Sequence, residues 1–141
     1  MKIIFDNKET VVPVSDQLKS ILNKIIKESW VKTSENQSLT FNFKDNSYDP
    51  ETGGYHPVEI RLIKGKHGWR FDYITDFAYV GIGYMAELTK EIDFDFSNDV
   101  GYHLYTGEVP LNQLTDLYEL WESNFISYVE MDVFTVKIQS N

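Results

Sequence analysis

The chain has 141 residues and a formal net charge of −9, a length that suits one domain, 1–141, with a core of its own. Its hydrophobic content of 42% and aromatic content of 15% are too high for a disordered chain. It contains no cysteine, which excludes disulfides, thiolate zinc sites and thiol catalysis.

The charge is unevenly placed. Residues 1–34 carry 6 Lys and 4 acids, whereas residues 81–141 carry only Lys90 and Lys137 against 11 acids. Lys and Arg form no cluster that suits phosphates, so direct nucleic-acid binding and anionic-membrane binding are not expected. An acidic half chiefly keeps a small protein soluble. Its sharper reading is a surface that meets a basic protein partner or imitates a nucleic-acid backbone.

Ile3, Ile4 and Phe5 form the only apolar stretch before Asp6, too short for a signal-peptide core. No apolar run approaches the roughly 20 residues of a membrane helix. A cytoplasmic protein is therefore expected. Lys2 to Phe5 suits a short edge strand. Ser15 is placed to cap a first helix over about Asp16 to Lys32, because its hydroxyl accepts from an early backbone N–H. Leu18, Ile21, Leu22, Ile25, Ile26 and Trp30 recur at helical spacing and form an apolar stripe, with Lys19, Lys24 and Lys27 off it. On that stripe Trp30 is expected to be buried.

Leu39–Phe43, Val58–Leu62 and Trp69–Tyr73 alternate apolar and polar residues, which predicts three strands, the third continuing towards Val80. The segment Asp45 to Pro57, rich in Asn, Ser, Asp, Pro and Gly, predicts a long turn. Glu87 to Phe96 then alternates: Leu88, Ile92, Phe94 and Phe96 fall on one side, with Lys90 the exception, and Glu87, Thr89, Glu91, Asp93 and Asp95 on the other. That pattern predicts a half-buried strand with a wet acidic face. Tyr102 to Tyr105 suits a further short strand. Leu111, Leu114, Leu117, Tyr118, Trp121, Phe125 and Tyr128 form a second helical stripe opened by Pro110, on which Trp121 is expected to be buried. Val133 to Ile138 closes the chain as a strand. The whole suits an α+β two-layer domain, a mainly antiparallel sheet of five to six strands with both helices on one face.

Several apparent motifs dissolve on inspection. Gly81–Ala86 has the GxGxxA spacing of a dinucleotide fingerprint, but that fingerprint works only if a helix opens at the second glycine. The alternation that follows predicts a strand, and no cofactor is expected. Asp45, Ser47, Asp49 and Glu51 resemble a calcium loop, yet its sixth and twelfth positions hold Pro50 and His56. His56, His67 and His103 lack the pair spacing of a helical zinc site, so no metal site is expected either. The carboxylates at 87, 91, 93 and 95 suit a solvated face.

The stretches Tyr48–Leu62, Ile74–Gly81, Glu91–Phe96 and Leu120–Tyr128 through Phe134–Lys137 resemble a family of uncharacterised bacterial proteins, of γ-proteobacterial type, that share a domain of unknown function. The resemblance spans about Phe41 to Ile138 and leaves out the first helix. It implies a small single-domain protein and assigns no catalytic residue.

Two functional classes follow. One is a non-enzymatic binding or self-association module, including a weak homodimer held by lysines of the first helix against the acidic segments. The other is a small-ligand-binding protein or enzyme with a polar site near the Tyr48–Arg61 loop, built from Tyr55, His56, Arg61, Asp76 and His103. A concave pocket joining those side chains favours the second class.

Overall fold

Alternating segments make the sheet and two amphipathic stripes make the helices. In a computed structural model that describes residues 2–141, the order is α1 (Asp16–Lys27), β1 (Ser38–Lys44), β2 (Val58–Gly65), β3 (Gly68–Val80), β4 (Glu87–Asp95), β5 (Val100–His103), β6 (Gly107–Pro110), α2 (Thr115–Glu130) and β7 (Thr135–Ser140). The seven strands form one antiparallel sheet in the order β6-β5-β4-β3-β2-β1-β7. Strands β1 to β6 form a meander, and α2 returns the chain so that β7 lies beside β1. The fold is α+β, as expected, but with seven strands rather than five to six. The difference arises at 97–109, where Gly107 adopts φ 76° and lets the chain reverse into two short strands instead of one. Lys2–Phe5 is not an edge strand: Phe5 makes a single parallel bridge to Trp69.

Leu22 of α1, Phe41 of β1, Ile60 of β2, Ile74 of β3, Phe94 of β4 and Tyr118 of α2 share one fully buried cluster. Trp121 is buried as expected, 4.9 Å from Phe125 and stacked on it. Trp30 is not: it is fully exposed. The helix that should carry it stops at Lys27, where the Ser29 hydroxyl donates to Ile26 O at 2.7 Å and accepts from Val31 N–H at 3.3 Å. A serine that engages the backbone in this way offers it an alternative to the helical ladder. Ser15 caps α1 as expected, its Oγ accepting from Leu18 N–H. The second helix opens later than its stripe suggests, after a 3-10 turn over Leu111–Leu114 that follows Pro110.

Gly81 to Ala86 contains only a 3-10 turn over Gly83–Met85 before β4. No helix faces a pyrophosphate there. Among the described residues no helix is long and apolar enough to cross a membrane.

One irregularity organises the rest. Asp76 of β3 pairs with Ile92 of β4, but the next residue, Phe77, pairs with Lys90. Glu91 is left as the extra residue of a bulge, a device that bends a strand and re-aims a side chain. A one-residue slip also reverses the facing of everything beyond it. Lys90 therefore opposes Phe77, and Leu88, expected inside, opposes Tyr79 and is exposed.

Candidate ligand-binding cleft

The cleft begins with the turn between β1 and β2, which Asp45 holds in shape. Asp45 Oδ1 accepts from Ser47 N–H at 2.9 Å and from Ser47 Oγ–H at 2.6 Å, while Oδ2 accepts from Tyr55 N–H at 2.9 Å. These bonds hold its carboxyl below the ordinary carboxylate range, the serine hydroxyl contributing most. Asp49 repeats the device, its Oδ1 accepting from Glu51 N–H at 2.8 Å. The acids of this loop thus serve as turn formers. Gly54 lies at φ 140°, and a Cβ there would stand 2.9 Å from Asp45 Oδ2 and from Tyr48 Cα. Tyr48 Oη accepts from Tyr79 N–H at 3.0 Å, and Pro57 O accepts from Phe77 N–H at 2.9 Å. The loop is therefore tied to β3 at both ends of the segment that carries Tyr55 and His56.

His56 meets two carboxylates. Its Nδ1 lies 2.8 Å from Asp76 Oδ1 and 3.4 Å from Glu91 Oε2, with 38%, 11% and 25% of the three side chains exposed. Asp76 arrives from β3 and Glu91 from the bulge in β4. The Asp76 hydrogen bond holds His56 above the usual histidine range, opposed by partial burial and reinforced by the charges of Asp76 and Glu91. The second oxygen of Asp76 accepts from Trp121 Nε1–H at 2.9 Å. One carboxylate thus faces the histidine while α2 fixes its rotation.

Behind these groups lies a cavity of about 340 Å³ between the sheet and α2, walled by Tyr55, Trp121, Phe125, Tyr128 and Phe134. Tyr55 packs on Tyr128 with ring centroids 4.7 Å apart. Three of the five candidate residues, Tyr55, His56 and Asp76, converge at this cleft. Arg61 does not: it alternates with buried Ile60 and Leu62, and its guanidinium donates to Asp72 at 2.5 Å. His103, on β5, is not in the lining, and its Nδ1 accepts from Tyr105 N–H at 3.2 Å. Sequence reasoning missed Glu91 and the aromatic wall from α2. Simple alternation places Glu91 on the acidic face, and only the bulge brings it to His56.

A second concavity, of about 810 Å³, lies where exposed Trp30 and half-buried Val31 approach Val136 and Ile138 of β7.

Fold and cleft together define a small α+β domain with a meandering antiparallel sheet and a mixed aromatic and acidic pocket beneath its second helix. The chain belongs to the family of proteins of unknown function DUF2787, whose model matches residues 16–139. That match takes in α1, which the sequence resemblance left out. The chain is similar to the structure of a hypothetical protein from the VSP-II pathogenicity island of Vibrio cholerae, with 35% identity and a TM-score of 0.88 over 98% of this chain and 100% of that one. It is also similar to a conserved hypothetical protein from pathogenicity island VPI-2 of Vibrio cholerae, with 38% identity and a TM-score of 0.81 over 94% and 98%. No curated protein matches the chain.

Proposed function

We propose that this protein binds a small ligand in the cleft between β3, β4 and α2, with its polar head against His56, Asp76 and Glu91. The observation that carries this reading is the convergence of those three groups, from a loop and two strands, at one end of an aromatic-walled cavity. Its volume lies at the lower end of the roughly 300–1,000 Å³ usual for ligand pockets. The aromatic walls suit a flat apolar body. The lining holds no Ser, Thr or Cys for His56 to activate as a nucleophile, and its histidine pairs with its two carboxylates. NMR with isotope-labelled protein and a library of flat heteroaromatic fragments tests it. Hits should shift the Trp121 indole N–H, and Asp76→Asn should abolish them. Hits that leave the Trp121 signal in place overturn the reading.

A second reading, self-association, is favoured by one observation: Trp30 is fully exposed beside β7, which is an edge of the sheet. An uncovered edge strand is a template for pairing with another chain. Sedimentation at low and high salt, with and without Trp30→Ala, tests it; a monomer throughout excludes it. If both helices lie on the core face, the sheet's other face carries Arg61 with Asp72, Tyr73 with Glu59 and Thr75 with Asp93. Acids so occupied weigh against a basic partner or an imitation of nucleic acid on that face.

A further inference from the structure

We infer that His56, Asp76 and Glu91 form a binding site for one divalent first-row transition ion at the polar end of the cleft. The inference rests on the reading of that cleft as a ligand site and gives its chemistry. One ligand atom from each residue lies within 4.8 Å of the other two, and this is the one such group among the described residues. An ion about 2.1 Å from its N and O donors spaces them about 3.0 Å apart in octahedral and about 3.4 Å apart in tetrahedral geometry. The observed His56–Asp76 and His56–Glu91 distances are 2.8 and 3.4 Å. The remaining gap closes by rotation of Glu91, whose side chain is a quarter exposed. Two carboxylates neutralise a dication, and the ion takes the place of the proton between His56 and Asp76.

Two features outside the three residues point the same way. Trp121 Nε1–H holds Asp76 Oδ2, the outer contact that fixes a ligating carboxylate and leaves its other oxygen for an ion. The cavity of about 340 Å³ adjoins the group, so the coordination positions that three protein donors leave open face a space that a ligand can fill. An imidazole with two carboxylates suits ions of the zinc, manganese or iron(II) type. Calcium is a poor fit because it takes six to eight oxygen donors.

The test is calorimetric titration of the chelator-treated full chain with zinc chloride and, separately, manganese chloride. One ion per chain is expected, with binding weakened at least about tenfold in each of His56→Ala, Asp76→Asn and Glu91→Gln. His103→Ala should bind as the parent does. Circular dichroism verifies that each variant is folded, and Glu91→Gln, on the strand surface, keeps the test valid if another variant unfolds. Absence of binding at millimolar metal overturns the inference, as does binding that survives Glu91→Gln and His56→Ala. Loss of the metal site with fragments still displacing the Trp121 signal refutes the ion alone, whereas silence in both experiments refutes the cleft.

Discussion

Trp121 of α2 donates its indole N–H to Asp76 of β3 at 2.9 Å, and both residues are buried. The bond couples the packing of the second helix to the polar end of the cleft. Trp121→Phe retains an aromatic ring and removes the donor, leaving a nearly buried carboxylate oxygen unpaired, at a cost of about 1–3 kcal/mol. Trp121→Ala also opens a cavity and should cost about 3–5 kcal/mol. Urea denaturation of both variants checks this ordering; equal stability of Trp121→Phe and the parent contradicts the bond.

Trp30→Ala should behave oppositely. The ring is fully exposed, and a surface change of this kind stays within about 0.5 kcal/mol of the parent. The same denaturation experiment distinguishes the two tryptophans, and a large loss for Trp30→Ala places that ring in a core or an interface.

Glu122 ties the two helices together. Its Oε2 accepts from Tyr118 Oη–H at 2.6 Å and from Ser15 N–H, at the cap of α1, at 3.1 Å. Burial, reinforced by Glu122, pushes the Tyr118 hydroxyl far above the tyrosine range, so it remains a donor. Tyr118→Phe removes a hydrogen bond to a charged group and should cost about 1.5–3 kcal/mol. Thermal unfolding of this variant beside Ser15→Ala, which loses a cap worth about 1 kcal/mol, gives the comparison. An unchanged melting temperature for Tyr118→Phe contradicts the contact.

Gly53 and Gly54 both have positive φ, but only Gly54 is crowded by Asp45 and Tyr48. Gly54→Ala should therefore destabilise the loop more than Gly53→Ala, which meets strain without a clash. Loss of fragment binding at the cleft should follow the same order, and equal effects of the two substitutions contradict the described loop.

Acid should loosen this loop through Asp45. Its carboxyl is held below the ordinary value of 3.8 in the folded chain. The stability it contributes is therefore complete above that value and falls away as pH drops through the lowered folded value. Unfolding measured from pH 5 to pH 2 should show the difference between the parent and Asp45→Asn shrinking as pH falls below 3.8. A difference that grows towards acid reverses the sign and contradicts the assignment.

Much of the sheet was legible because alternation is a local property: β1 and β2 bury all their expected apolar residues, β3 buries Trp69 and Phe71, and β4 buries Ile92 and Phe94. Tyr73, beyond a bulge at Asp72, turns to the other face. Loop chemistry was equally legible, since Asp45 and Asp49 form turns for the reason their residue types suggest. Facing beyond an irregularity was not. The bulge opposite Asp76 and Phe77 reverses the phase of β4, so Leu88 leaves the core and Glu91 reaches His56. Trp30 escaped in the same way, because a serine ended the helix one turn before it. The cleft itself depends on residues 30 to 45 positions apart in the chain, such as Glu91 and Trp121 or Asp76 and Trp121, and no periodicity brings those together.

The cleft at His56, Asp76 and Glu91 is the place where we propose that this protein meets a ligand. Crystals soaked in mixtures of flat heteroaromatic fragments test it most directly. Bound fragments are expected against Tyr55, Trp121 and Tyr128 with a polar group at the His56 end, and they should be lost in Asp76→Asn crystals. Fragments gathered at Trp30 and β7, with the cleft vacant in every data set, would contradict it.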